Sequence, residues 1–323
     1  MYDSLLFIVL PLQNIIGLVL NLIVLILICN LAEGALQYVK TCLFISTVHS
    51  LLYCGMNHLL LPTYHVTREG YFLTLHGEFL YLFSHDVINL FIFTWSFLQS
   101  FTWTLQPFNF IVQYLVIAKK GSVNTRTFAV LLFLSFCLSL PYFILSLHLF
   151  PCESETKLIS HILERSYTSD ILPFASSLFV YGNTFENRKN WDCFLVWIGF
   201  GGSFGFSYAI VLFYVRKLIV IMGKDLLKDR KESLRAHTKV LRWLILQSLA
   251  PFTPILIMSS IAIVSLSLNI YFSSFSILIS LLSTASPIVQ GMVNVVQISR
   301  WNCSNLDISH QRGRRNTITH STT

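Results

Sequence analysis

The chain has 323 residues, of which 54% are hydrophobic, 14% aromatic and only 11% charged. A water-soluble domain carries about 25% charged residues, so the composition excludes an ordinary soluble fold and points to a bilayer. The net charge of +7 would suit nucleic acid, but the placement of the charges along the chain excludes that partner.

The predicted elements follow from the charge-free runs, because a bilayer span needs roughly 20 apolar residues. The first block covers 5–29 inside the run Ser4–Ala32. Met1-Tyr2-Asp3 has neither a basic leader nor a cleavage site, so this block is expected to be a retained helix. The second block, 41–62, carries His49 in its middle and Asn57 and His58 near its end. The third, 83–117, holds a stripe of residues spaced alternately by four and three: His85, Asn89, Ile92, Ser96, Gln99, Trp103, Gln106, Phe110 and Gln113. Such spacing puts them on one helical face. The fourth block covers 127–150. The segment 151–190 follows, and its apolar stretch 171–180 is too short to cross a membrane and is expected to fold over the helix mouth as a lid. The fifth block covers 193–221. From Trp243 to Ser299 there is no Asp, Glu, Lys or Arg over 57 residues, which as one helix would run roughly 85 Å. The polar group Ser267, Asn269, Ser273 and Ser274 is the natural break, giving blocks at 241–268 and 271–298. Residues 301–323 form a polar tail.

With the first residue outside, 17 of the 22 basic residues fall on inner segments, nine of them between Arg216 and Arg242, and ten of the 15 acidic residues fall on outer ones. Basic loops stay cytoplasmic. The expected architecture is an all-α membrane protein: a seven-transmembrane helix bundle over 1–300, N-terminus outside, with a cytoplasmic tail. The basic side is expected to face anionic lipid and an intracellular partner. Seven cysteines are scattered with no CxxC or His/Cys cluster, so no metal site and no cofactor are expected. Cys152 and Cys193 bracket the long outer loop on the oxidising side and are a candidate disulfide.

Polar groups facing lipid lack partners, so the stripe on the third block should face the bundle interior. Its outer half, His85, Asn89, Ser96 and Gln99, is a candidate ligand-binding surface, joined by Asp86, by Asn57 and His58, and by Tyr208. The alternative for all of them is interhelical bonding alone. Gln106 and Gln113 read as interhelical contacts or part of a switch. The aromatic-rich outer half suits an apolar or volatile ligand. Pro251 and Pro254 in the sixth block and Pro287 in the seventh free backbone carbonyls and allow two helix packings. The run Arg216–Arg242, with Leu226, Leu227 and Leu234 among its charges, reads as a basic amphipathic extension of the fifth and sixth helices.

Several short patterns in order resemble the nematode seven-transmembrane chemoreceptor (serpentine receptor) superfamily. They are Tyr38 after the first helix, Pro62-x-x-His65 after the second, Phe110-Ile111-Val112-Gln113-Tyr114 at the inner end of the third, Leu244-x-x-Gln247-x-x-x-Pro251 opening the sixth, and Ser286-Pro287 with Arg300 at the seventh. Class R, the Str type, fits best, with class D the nearest alternative. The resemblance implies a rhodopsin-like G-protein-coupled plan, a small odorant-like ligand bound in the bundle, a heterotrimeric G protein as partner, and a plasma-membrane location in sensory-neuron cilia. It places Gln113, Tyr114, Gln247, Pro251 and Pro287 at coupling or switch positions. The chain departs from the pattern at Gln113 and Val112, where the family has arginine and tyrosine.

The expected function is therefore an olfactory-type chemosensory receptor. A multi-pass transporter or channel is the alternative, using the stripe as a polar path, but no Lys or Arg lies mid-membrane. No His-Glu-x-x-His, no Gly-x-Ser-x-Gly and no paired intramembrane carboxylates occur, so an enzyme is not expected. The seventh helix has no lysine for a retinal Schiff base.

Overall fold

The computed structural model describes residues 2–30, 37–66, 70–119, 123–146, 179–184, 191–226, 231–268 and 277–299. The helices are α1 (Tyr2–Cys29), α2 (Gln37–Leu60), α3 (His85–Thr104), α4 (Gln106–Lys119), α5 (Thr125–Ser146), α6 (Trp191–Leu226), α7 (Lys231–Leu268) and α8 (Ile277–Ser299). Six of them contain stretches long and apolar enough to cross a membrane. The remaining crossing is α3 and α4 together.

The third block, expected as one helix over 83–117, is divided at Leu105. The physical cause is Pro107, which has no N–H to offer the Trp103 carbonyl. Leu105 itself stays in helical geometry, φ −74° and ψ −22°. The stripe therefore keeps its phase across the break: Ile92, Ser96, Gln99, Trp103, Gln106, Phe110 and Gln113 are all buried. The basic segment between the fifth and sixth blocks is helical over most of its length, α6 running to Leu226 and α7 starting at Lys231.

α2 ends earlier than the expected 62. Leu61 takes a left-handed φ of 42°, which is uncommon for a residue with a side chain and turns the chain out of the helix. Pro62 then opens a strand. β1 (Pro62–Val66) and β2 (Gly70–Leu75) form an antiparallel hairpin, and β3 (Phe179–Thr184) adds to β2 antiparallel. The register pairs Thr63 with Thr74, His65 with Phe72, and Thr74 with Val180. No strand is predicted from the sequence between the second and third blocks. The lid stretch 171–180 overlaps β3 only at its end, and 171–178 lies outside the described residues.

The core divides along the bundle axis. In the hairpin half, Tyr53, Leu60, Tyr64, Leu75, Ile88, Ile92, Trp95, Met258 and Ile279 pack together. In the opposite half, Val24, Leu43, Phe110, Leu218, Val240, Trp243 and Leu244 do so. The bundle's outside is apolar too: Leu212, Phe206, Phe133 and Ile8 are among the many large exposed hydrophobics. That surface requires lipid. Close approaches fix the helix pairs. A Cβ at Gly17 would lie 2.7 Å from Cys54 Sγ, and one at Gly291 3.1 Å from Leu20 Cβ.

Gly77 is the tightest of these points. The backbone N–H groups of His76 and Gly77 both donate to the Leu60 carbonyl at 3.1 Å, anchoring β2 on the end of α2. A Cβ at Gly77 would fall on the Leu59 carbonyl oxygen, only 1.8 Å away. Gly77→Ala is expected to lower the Tm of detergent-purified protein by about 3–5 °C, the shift a loss of one to two kcal/mol produces. Gly55→Ala, where nothing lies within 4 Å, should leave Tm unchanged or raise it. Equal thermal shifts for the two variants would contradict the anchoring role.

Candidate functional site

The outer half of the bundle encloses a cavity lined by Tyr53 of α2, Gln99, Thr102 and Trp103 of α3, Ile255 and Met258 of α7, and Leu282, Ser283 and Ser286 of α8. Its free space is about 10 Å³ for the centre of a water-sized sphere, the room one water needs. Its walls are hydroxyl, amide, aromatic and aliphatic, with no charged side chain among them. Larger guests require its walls to part.

Each wall has a sequence cause. Pro287 has no N–H, so the Ser283 carbonyl one turn earlier in α8 has no helical donor. The Tyr53 hydroxyl donates to it at 3.3 Å, joining α2 to α8. Gln99 sits at the centre of a polar relay. Its Nε2 donates to the Tyr64 hydroxyl at 3.2 Å, and its Oε1 accepts from the Tyr142 hydroxyl at 3.5 Å. The Trp103 indole N–H donates to Ser203 Oγ at 3.3 Å, tying α3 to α6. Tyr64 belongs to β1. Its ring lies 6.3 Å from that of Trp95, and its backbone N–H donates to Ser280 Oγ at 2.9 Å. The hairpin is thus tied to the cavity wall through the Tyr64–Gln99 bond.

Of the residues expected to bind ligand, only Gln99 lies on the cavity wall. Asn57 is fully buried one layer further out, where its Oδ1 accepts from the Trp95 indole at 2.7 Å. His58 is half-buried on the last turn of α2. Ser96 is buried and Asn89 half-buried on α3. His85 and Asp86 are exposed at the start of α3 and do not join the cavity. Tyr208 is held away from it by donating to the Ser248 carbonyl at 2.9 Å, against Phe204 and Phe252. Sequence reasoning missed Tyr53, Thr102, Met258, Ser283 and Ser286. Trp103 was on the stripe, and Ser283 was findable as the residue four before Pro287. The candidate disulfide cannot be placed: Cys152 and the Cys193 side chain lie outside the described residues.

Just outside the bundle, Thr74 of β2 carries two imidazoles. Its Oγ1 lies 2.8 Å from His65 Nε2 and 2.8 Å from His76 Nε2. Burial pushes the His65 pKa down to about 3, helped by neighbouring His76, and burial alone pushes His76 down to about 4.

At the opposite end, the expected switch residues gather on α4, α7 and α8. Gln113 and Gln247 are buried, and both amide atoms of each lack a hydrogen-bond partner, as do those of Asn109. The Tyr38 hydroxyl lies beside Gln113 without closing a well-formed hydrogen bond. The Trp243 indole donates to Asn294 Oδ1 at 3.1 Å, joining α7 to α8. Tyr114 packs edge-on against Tyr214 at 5.2 Å, with Lys217 Nζ 5.5 Å from its ring centre. Pro251 lies inside α7, four residues after Gln247, and Pro287 inside α8.

A helix bundle clothed in apolar side chains, with a polar interior and a small cavity towards one end, defines a multi-pass membrane protein. The family profile described as serpentine type 7TM GPCR chemoreceptor Str matches residues 7–302. The chain belongs to that family, which is one of receptors and not of enzymes. Among solved structures, squid rhodopsin is similar to it with a TM-score of 0.48 and 15% identity, over 89% of this chain and 79% of that one. No match was found among the curated proteins.

The Asn57–Trp95 bond tests how the cavity's outer layer is held. Asn57→Leu is expected to cost about 1–3 kcal/mol, because the Trp95 N–H is left buried without an acceptor. Adding Trp95→Phe should recover part of that loss. Strictly additive losses in a thermal double-mutant cycle would refute the pairing.

Proposed function

We propose that this G-protein-coupled receptor is chemosensory. In this reading it binds a small, uncharged, odorant-like molecule in the cavity around Gln99 and signals to a heterotrimeric G protein at the basic inner ends of α6 and α7. The observation that carries the reading is the cavity's lining. Four helices converge on it, three of them with hydroxyl or amide groups and none with a charge, so an ionised ligand would be left without a counter-charge there. A neutral molecule with a hydrogen-bonding oxygen meets Gln99, Tyr53, Thr102 and Ser283 within aromatic and aliphatic walls, the usual make-up of small-molecule sites. Its binding would favour whichever packing of α3, α7 and α8 gives it more room, and only that difference in affinity drives the shift.

Membership of the family supports a plasma-membrane location and, for chemosensory members, sensory cilia. Gln113, Tyr114, Gln247, Pro251 and Pro287 act as the inner switch in this reading. Unpartnered amides at Gln113 and Gln247 leave that region free to re-pair when the helices move.

Expression in a heterologous cell with a calcium or cyclic-nucleotide readout, screened with neutral volatiles, tests the proposal. For an activating compound, Gln99→Leu should raise the half-maximal concentration by about tenfold, the worth of one good hydrogen bond. Asp86→Asn, at an exposed position outside the cavity, should change it less than about twofold. If the two variants behave alike, the ligand binds elsewhere.

Gln113→Arg probes the switch. A cation at a site that is only 1% exposed is costly where it is unpaired, so it should disfavour the closed inner packing. The expected result is higher ligand-free signalling together with a lower Tm. Unchanged basal signalling at normal surface expression would remove Gln113 from the switch.

A further inference from the structure

We propose that the outer hairpin is a proton-operated latch, in which the imidazoles of His65 and His76, clasping the Thr74 hydroxyl, hold the cap shut when neutral and release it when protonated. The inference concerns the cap and holds whatever the cavity binds.

The geometry fixes the logic. Thr74 is 1% exposed and has one hydroxyl proton. With both imidazoles neutral, Thr74 donates to one Nε2 and accepts from the N–H of the other, so both 2.8 Å contacts are satisfied. With both protonated, each Nε2–H donates to the same oxygen, and the hydroxyl proton turns to the Thr63 carbonyl at 3.4 Å. The hydrogen bonds survive, but two cations then share one buried oxygen, which like-charge repulsion and lost hydration both oppose. Opening the cap gives both groups back to water.

The clasp acts where it matters. His65 is adjacent to Tyr64, which alternates to the bundle side and reaches Gln99. His76 is adjacent to Gly77, and its own N–H holds the end of α2. Opening the clasp therefore loosens both attachments of the hairpin. Around it, α2 contributes His58, the turn after β2 contributes Glu78, and α3 contributes His85 and Asp86. Glu78, His85 and Asp86 are exposed. Tyr71 and Tyr181 stand on β2 and β3, and α8 has no titratable side chain between 277 and 299. Arg68 and Glu69 of the hairpin turn lie outside the described residues. His76 acts electrostatically on His65 and lowers its pKa beyond the effect of burial.

The sign follows from linkage. Both histidines titrate lower in the closed cap than in water, so the closed form is favoured fully above the ordinary histidine range near 6.5 and loses ground as pH falls toward about 4. Between pH 7.5 and 5.5 each histidine should multiply the opening constant by about tenfold, and the pair by up to about a hundredfold. Ordinary carboxylates stay ionised across that interval, so Glu78 and Asp86 do not imitate the effect.

The test is hydrogen–deuterium exchange of full-length protein in nanodiscs at pH 7.5 and 5.5. Protection of a peptide covering 62–77 is compared, after correction for the intrinsic pH dependence of exchange, with that of a transmembrane peptide from α2. The expected result is a tenfold or greater loss of protection confined to 62–77 in the native protein. The loss should halve on a logarithmic scale in His76→Gln and be absent in His65→Gln/His76→Gln, while His85→Gln keeps it. Less than twofold change in the native protein, or an undiminished change in the double variant, would overturn the latch.

Discussion

Within hydrocarbon a polar side chain has no water to turn to, so it must find its partner inside the protein. That constraint organises this bundle more than any apolar contact, because lipid tails already satisfy Leu, Phe and Val. The helices are joined by polar bonds: Gln13 to the Leu281 carbonyl and Asn21 to the Pro287 carbonyl between α1 and α8, Ser50 to Gln290 between α2 and α8, and His49 to the Leu98 carbonyl between α2 and α3. Each bond is modest alone, on the order of 0.6 kcal/mol in membranes. Their joint effect is directional, since every one specifies which faces of two helices meet.

Proline turns the same constraint into a site. A proline within a membrane helix strands a carbonyl, and a stranded carbonyl in lipid requires another donor. At Pro287 that donor is Tyr53, and the pair forms part of the cavity wall. The bundle's two ends differ in how fully such demands are met. Around the cavity, Gln99, Trp103 and the Asn57 Oδ1 have named partners, while Asn57 Nδ2 and Ser286 Oγ have none. Around the inner polar cluster, Asn109, Gln113 and Gln247 have none for either amide atom. Buried amides without partners are costly, so the inner packing is the end with more to gain from rearrangement.

How far the sequence could be read follows from how each feature is encoded. The helices and the phase of the α3 stripe were legible, because a membrane span and a helical face both reside in a single stretch of residues. The stripe even survived a break at Leu105 that Pro107 imposes. The hairpin was not legible: Pro62–Val66 and Gly70–Leu75 are short, and their strand character comes from pairing with each other and with 179–184, over a hundred residues away. The cavity was legible only in part for the same reason. Gln99 is polar on a predicted inward face, whereas Met258 and Ile255 differ from lipid-facing neighbours such as Leu256 and Ile257 only in rotation about α7. Asp86 and His85 stand exposed at the start of α3, because a costly residue near a membrane boundary is accommodated as well by exposure as by binding.

The cavity's neutrality and the cap's histidines are two sides of one electrostatic division. A charged group lining the cavity would need a counter-charge in low dielectric, and none stands there, so a guest in it would be held by shape and hydrogen bonds. Towards the margins stand His65 and His76 at the cap and Lys217 against Tyr114 and Phe213 at the other end. There a change of protonation, or the approach of a charged partner, alters the energy of the rims and leaves the recognition chemistry itself untouched. Under the latch and the receptor reading proposed above, external acidity would govern access and internal charge would govern response, without either one changing which molecule fits between them.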